Sequence, residues 1–255
     1  MNLLEIHNVT KFFGGLAALT KLNISISPQE ILGLIGPNGA GKTTLFNCIT
    51  GIYPPSDGRI IFDGEDITGL EPHEIAKRGA ARTFQLTKIF SEVSLLDNIM
   101  ISRHCRTKTG VGGALLNTSF ARREKNETRE KSLYFLELLG LITLRDELAK
   151  NLPYGSQRRL AIAISLATEP KLLLLDEPAA GMNPEESDEI IELIDRIRGL
   201  GITIFLVEHD MRVIMGISDR IVVLNFGEII AKGSPQEIQE NEDVIEAYLG
   251  KGEYA

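Results

Sequence analysis

The sequence predicts an α/β fold: a core with a mixed or parallel sheet, an antiparallel β part, and an inserted helical subdomain. Three observations carry this expectation. A glycine-rich loop, Gly36-Pro37-Asn38-Gly39-Ala40-Gly41-Lys42-Thr43, joins a strand-like segment to a helical one. Two continuous apolar runs, residues 172–175 and 202–207, read as parallel strands buried on both faces, with a helical segment between them. From about residue 95 to residue 150 the pattern changes to helical periodicity, with Leu133, Leu136, Leu139 and Gly140 closing an amphipathic helix.

Each element follows from its own residues. Residues 3–9 and 30–35 read as strands, and residues 59–62 followed by the Asp63-Gly64 turn pair read as part of a hairpin. Within the helical stretch, residues 110–113 and the charge-rich residues 122–125 read as a loop and a solvated helix start. Asn183 can cap a helix with Pro184 at its first position and Glu185 and Glu186 in the first turn, and Ile190, Ile191, Ile194 and Ile197 share one face. Ser234-Pro235-Gln236-Glu237 is a capping box opening a further helix. No internal repeat is visible. The expected organisation is one domain over 1–255, with 1–94 and 151–255 forming the core and 95–150 the helical subdomain.

Composition narrows the class. At 255 residues and 43% hydrophobic content, the chain can bury one large core with a smaller appended part. A net charge of −8 argues against a nucleic-acid partner, because phosphate-backbone binders display a basic field. The cysteines, Cys48 and Cys105, lack metal-ligand spacing and are too few for a disulfide framework, so both read as packing residues in a reducing compartment. The opening Met1-Asn2-Leu3-Leu4-Glu5-Ile6-His7 has no basic segment ahead of a long apolar run, and no stretch reaches the roughly 18 apolar residues of a membrane span. The expectation is a chain that works in solution or docked on a membrane protein.

Two segments carry chemistry. The loop 36–43 is a complete phosphate-binding pattern in the right setting: glycines let the backbone curl so that N–H groups face phosphates, and the following helix N-terminus adds its dipole. Lys42 is placed to reach the β- and γ-phosphates, Thr43 to hold Mg²⁺, and Thr44 to line the same site. The apolar run 172–175 then delivers Asp176 and Glu177 at a strand end. Asp176 would hold Mg²⁺ through water and Glu177 would polarise an attacking water. An apolar strand ending in two acids is often only a solvated turn; beside a phosphate loop it becomes the second half of a hydrolytic site.

These segments and others in the same order make the sequence resemble the ATP-binding-cassette (ABC) ATPases over nearly its whole length, with 36–43 as the Walker A loop and 172–177 as the Walker B strand. The resemblance implies an ABC-type P-loop ATPase core, with ATP and Mg²⁺ as cofactors. It implies that Phe13, before Gly14-Gly15, stacks on adenine, although a core phenylalanine is the alternative because Phe12 sits beside it. It implies that Gln85, in Arg82-Thr83-Phe84-Gln85, touches Mg²⁺ and the attacking water, and that His209, in Val207-Glu208-His209-Asp210, contacts the γ-phosphate. The segment from Gln85 through Ile89, Phe90 and Leu96 then reads as part of a docking groove for a transmembrane helix, with core packing as the alternative for its apolar members.

Two places depart from the family pattern. The signature loop, usually Leu-Ser-Gly-Gly-Gln, reads Leu152-Pro153-Tyr154-Gly155-Ser156 here. Gly155 and Ser156 remain to meet a nucleotide held by an opposite cassette, but Pro153 lacks the serine hydroxyl and a backbone donor. Asn183 stands where the family usually has aspartate, which keeps hydrogen bonding and loses a charge.

Within that family the chain looks most like the ATP-binding subunits of branched-chain amino acid importers. The segments Phe13-Gly14-Gly15-Leu16-Ala17-Ala18-Leu19, Ala179-Ala180-Gly181-Met182-Asn183-Pro184, Glu208-His209-Asp210-Met211 and Ala247-Tyr248-Leu249-Gly250 carry that likeness. It implies a peripheral protein on the cytoplasmic face of the membrane, permease subunits as partners, an indirect link to a substrate-binding protein, and a second cassette. An intact phosphate loop beside a weakened signature favours a heterodimer, a homodimer being the alternative. A lipid or lipopolysaccharide exporter motor and a soluble non-transport ABC ATPase are the competing functions.

Overall fold

The computed structural model describes residues 1–83, 89–106 and 119–249. The chain divides into two compact units, Met1–Arg82 with Lys171–Ala255, and Thr83–Pro170. The first part of unit one runs β1 (Leu4–Phe13), β2 (Leu16–Ile26), β3 (Ile31–Ile35), α1 (Lys42–Ile49), β4 (Asp57–Phe62), β5 (Glu65–Asp66), α2 (Pro72–Arg78) and β6 (Ala80–Arg82). Unit two holds α3 (Leu95–Ser102), α4 (Ser119–Leu138) and α5 (Tyr154–Leu166), with short 3₁₀ turns between them. Unit one then resumes with β7 (Leu172–Asp176), α6 (Pro184–Gly199), β8 (Thr203–Val207), α7 (Met211–Ile217), β9 (Arg220–Asn225), β10 (Glu228–Gly233), α8 (Pro235–Gln239) and α9 (Glu242–Leu249).

Unit one is built on two sheets. A four-stranded sheet, ordered β2-β1-β4-β5, is antiparallel throughout. A six-stranded sheet, ordered β10-β9-β3-β8-β7-β6, is parallel except where β10 turns back on β9. Every residue of β3, β7 and β8 is buried, which is why their sequences are apolar except for Asp176 at the end of β7 and Thr203 at the start of β8. Phe46 of α1 meets Phe205 of β8 at 5.0 Å between ring centroids, inside a cluster that also takes in Leu34, Leu174 and Leu224. Burying such side chains contributes about 1.5–3 kcal/mol each.

The caps match their residues. Asn183 Oδ1 accepts from the Glu186 N–H at 3.0 Å, and Glu186 Oε2 accepts from the Asn183 N–H at 3.0 Å, so α6 opens on a reciprocal capping box with Pro184 at its first position. Ile190, Ile194 and Ile197 are buried along one stripe, which Leu193 widens. Ser234 and Glu237 form the same arrangement before α8.

Two readings change. The strand expected over residues 3–9 continues to Phe13, past register shifts between Ile6 and Val9 and between Val9 and Lys11, with Asn8 at φ 50°. Those irregularities break the two-residue alternation that marks a strand in sequence. Cys48 is buried as expected, but Cys105 is exposed on the 3₁₀ turn Arg103–Arg106, where its Sγ sits 3.3 Å from the Ser102 carbonyl.

Unit two packs α3 against α4 and α5. Ser94 caps α3 by accepting from Asp97 N–H at 3.0 Å. The buried Asn98 side chain ties the chain before that helix to it, accepting from Phe90 N–H at 2.8 Å and donating to the Phe90 and Ser94 carbonyls. Buried Arg103 donates to the Ala167 carbonyl at 2.9 Å and pairs with Glu169 at 3.2 Å. Residues 110–113 lie outside the described residues. Among the described residues, no helix is long and apolar enough to cross a membrane.

Candidate active site

The loop between β3 and α1 forms the floor of the site. Gly36 has φ 152° and a Cβ there would meet the Leu224 carbonyl oxygen at 2.1 Å; Gly41 has φ 105° and a Cβ would meet the Ala18 carbonyl oxygen at 2.7 Å. Only glycine lets the loop lie this close to its neighbours. Helix α1 begins with no side-chain cap, and its first intrahelical bond runs from Leu45 N–H to the Gly41 carbonyl at 2.9 Å. The amides of Lys42, Thr43 and Thr44 therefore have no intrahelical acceptor and stand at the positive end of the helix dipole. Lys42 Nζ donates to the Gly36 and Pro37 carbonyls at 2.6 and 3.1 Å, which holds the ammonium over the loop. Burial pushes the Lys42 ammonium down from its ordinary pKa, and the Glu177 and Asp176 carboxylates oppose that shift.

The end of β7 supplies the carboxylates. Asp176 is 6% exposed, and its Oδ2 accepts from Arg82 Nη2 at 2.7 Å. Arg82 also donates to Asn47 Oδ1 at 2.6 Å and lies 5.4 Å from the Phe46 ring centroid, so one guanidinium connects β6, β7 and α1. Glu177 leaves the strand with φ 50°, while its N–H still donates to the Val207 carbonyl at 2.9 Å. A left-handed conformation at a non-glycine residue costs about 1–3 kcal/mol and turns the side chain off the strand line. His209 Nδ1 lies 3.9 Å from both Glu177 Oε1 and Glu208 Oε2.

Glu208 is a member of this cluster that sequence reasoning missed. Its side chain is fully buried and accepts from Ala179 N–H at 2.8 Å and His209 N–H at 3.2 Å, so it ties the loop after Glu177 to the residue after β8. Burial raises its carboxyl pKa, and the surrounding backbone N–H groups partly offset the rise. The signal was available: a carboxylate directly after the apolar run of residues 204–207 must find buried donors.

A cavity of about 480 Å³ opens over the phosphate loop, lined by residues 38–44 together with Phe13, Leu16, Glu177 and Phe226. Phe13 is 42% exposed there, so it belongs to the cavity wall and not to the core. Phe226 was also missed. It sits at φ 45° and 85% exposure in the turn after β9, whose Gly227 donates to the Ala40 carbonyl at 3.0 Å and accepts from Thr20 N–H at 2.8 Å. An aromatic followed by glycine in a hairpin turn was its sequence signal.

The structure therefore gathers Phe13, the phosphate loop through Thr44, and Glu177 around one cavity, with Asp176 and His209 at the neighbouring strand ends. Gly155 and Ser156 belong to unit two, in the first turn of α5. Pro153 is the N-cap of α5 and makes no side-chain cap bond, and the first intrahelical bond there is Gln157 N–H to the Pro153 carbonyl at 3.0 Å. Gln85 and Lys88 lie outside the described residues. Of the segment that follows them, Leu96 is buried, Phe90 is exposed, and Glu92 pairs with Lys150 at 2.8 Å.

Comparison with known proteins extends this picture. A family model described as ABC transporter matches residues 19–180, and one described as branched-chain amino acid ATP-binding cassette transporter matches residues 228–254. The chain is 46% identical over 250 residues to the high-affinity branched-chain amino acid transport ATP-binding protein LivG of Escherichia coli (strain K12), covering 98% of each. It is 44% identical over 250 residues to the corresponding protein BraF of Pseudomonas aeruginosa, again covering 98% of each. Among solved structures, the ADP conformation of MJ1267, an ATP-binding cassette of an ABC transporter, superposes with a TM-score of 0.86 at 32% identity, covering 98% of this chain and 100% of that one. A dimeric post-hydrolysis state of the cassette MJ0796 bound to ADP and Pi gives a TM-score of 0.77 at 25% identity, covering 91% and 98%.

Proposed function

Because the chain belongs to the ABC transporter family, we propose that it is the ATP-binding and ATP-hydrolysing subunit of a branched-chain amino acid importer, seated on the inner face of the membrane against permease subunits. The observation that carries this reading is the convergence of uncapped helix amides, Lys42, Glu177 and an exposed aromatic on one cavity. The cargo class rests on the names of the relatives and on the match over residues 228–254.

The residues take the following roles. The amides of Lys42, Thr43 and Thr44 donate to phosphate oxygens, and Lys42 places its ammonium between the β- and γ-phosphates. Phe13 stacks on the base. Glu177 accepts the proton of the attacking water, and His209 donates to the γ-phosphate. The hydroxyl of Thr43, the carboxylate of Asp176 and the side-chain oxygen of Gln85 would hold Mg²⁺, an oxygen donor set of the kind that ion prefers. Such an ion would supply positive charge against the charge developing on the phosphate oxygens.

A second cassette completes each site, and two different cassettes fit the sequence best. In a homodimer every site would face Pro153, whereas a partner with the usual serine would give this chain's phosphate loop and Glu177 a full signature. The reverse site would lose one charge-assisted hydrogen bond, worth about 1.5–3 kcal/mol, unless the backbone donors at the start of α5 replace it.

The test is reconstitution with the permease subunits in lipid vesicles, followed by removal of the catalytic glutamate from each cassette in turn. The reading expects Mg-ATP-dependent uptake of leucine, isoleucine or valine and unequal losses from the two variants. No uptake of any of the three would contradict the cargo assignment, and equal losses, or full uptake with this chain as the sole cassette, would contradict the asymmetric pair.

A further inference from the structure

Phe13 ends β1 immediately before Gly14-Gly15, and 42% of it is exposed. An aromatic in that position would rotate freely, and a base stacking on it would have to bear the entropy of fixing it. The structure holds the ring in place from outside the cavity. Tyr53 meets Phe13 at 5.3 Å between centroids and 81° between planes. Lys11, two positions earlier in β1, sets its ammonium 5.2 Å from the Phe13 centroid and 5.7 Å from the Tyr53 centroid. The ammonium is itself anchored, donating to the Pro54 carbonyl at 2.7 Å.

The bracket is rigid because both its sides are tied down. Tyr53 N–H donates to the Asn47 carbonyl at 3.1 Å, so its turn continues directly from α1, the helix that starts in the phosphate loop. Phe12 N–H donates to Ser56 Oγ at 3.0 Å, and Ser56 N–H donates to the Thr10 carbonyl at 2.8 Å, which pins the end of β1 to the same turn. One rigid path thus joins the loop beneath the phosphates to the aromatic beneath the base. A cation over the Phe13 ring also draws π density towards itself, which suits stacking against an electron-rich purine on the cavity side.

We propose that Lys11 and Tyr53 are positioning residues for the nucleotide base, locking the Phe13 ring in its stacking orientation and setting its distance from the phosphate loop. The inference rests on the reading of Phe13 as the stacking aromatic.

The experiment compares ATP with inorganic tripolyphosphate, which carries the phosphates and no base, by titration calorimetry on the full chain. Tyr53→Leu and Lys11→Met are each expected to weaken ATP binding about two- to tenfold and to leave tripolyphosphate affinity unchanged. Tyr53→Phe and Lys11→Arg should bind ATP like the parent chain, and Tyr53→Leu should have no further effect once Phe13 is alanine. Parental ATP affinity in both Tyr53→Leu and Lys11→Met would overturn the inference. So would equal losses for the two ligands, or a Tyr53→Leu effect that persists in the Phe13→Ala background. If Tyr53→Leu fails to fold, Lys11→Met carries the same comparison. Phe13→Ala binding ATP at parental strength would instead overturn the stacking reading itself, and the bracket with it.

Discussion

The Arg82 guanidinium and the Asp176 carboxylate meet at 2.7 Å with both side chains 6% exposed. This is a buried ion pair at the end of the strand that leads into Asp176 and Glu177, and its third member, Asn47, belongs to the helix that begins in the glycine-rich loop. Removing one partner from such a pair strands the other charge in a low-dielectric setting. Arg82→Ala should therefore lower the unfolding free energy by about 3–5 kcal/mol. Arg82→Lys should lose less, because it keeps the charge but not the fork that reaches Asp176 and Asn47 together. Urea unfolding followed by circular dichroism measures both, and a loss under about 1 kcal/mol for the alanine variant would show that the pair is not integral to the core.

Glu208 gives a pH signature. Its folded pKa is raised above the ordinary 4.5 by burial. Between the unfolded and folded values the native state binds the extra proton, so the contribution of this group to stability is fully present below pH 4.5 and is lost as pH rises through the folded value. Glu208→Gln removes that ionisation while keeping an acceptor for the Ala179 N–H. The variant should match the parent chain near pH 4 and be the more stable of the two at pH 7. Unfolding curves across that range check it, and a constant difference at all pH values would contradict the assignment.

Lys42→Ala should weaken nucleotide binding itself. The ammonium bridges two loop carbonyls, and in the proposed role it meets the phosphates there, so its loss would remove charge-assisted hydrogen bonds worth about 1.5–3 kcal/mol, or about 10- to 150-fold in Kd. Equilibrium binding of ATP measures this directly. Unchanged affinity would mean that the phosphates lie elsewhere.

Much of the site was legible because its chemistry demands residue types at fixed spacing. The loop between β3 and α1 could be read as a tight turn opening a helix, since its close approach to neighbouring backbone requires Gly36 and Gly41. Asp176 and Glu177 were legible as polar residues at the end of a buried apolar strand. The Asn183 and Ser234 caps were legible because side-chain capping is local in sequence. What escaped was long-range. Arg82 meets Asp176 across 94 positions, and nothing local to Arg82 names its partner. Tyr53 and Lys11 come together only because the end of β1 is pinned to the turn after α1. The extension of β1 to Phe13 was hidden by bulges that interrupt its alternation, and β2, which pairs with it, alternates from Lys21 to Ile26 but opens on the apolar Leu16 and Ala17 at exposed positions, which blurs its start.

The most direct test of the account is Glu177→Gln in the full chain. The substitution preserves size and hydrogen bonding and removes the base, so ATP affinity should stay within about threefold while steady-state hydrolysis falls by about 10²–10⁴. Binding and turnover are measured on the same preparation, with Mg²⁺ present. Separation of the two is the expected result; hydrolysis at the parental rate in the glutamine variant would contradict the assignment of Glu177 and the hydrolytic site built around it.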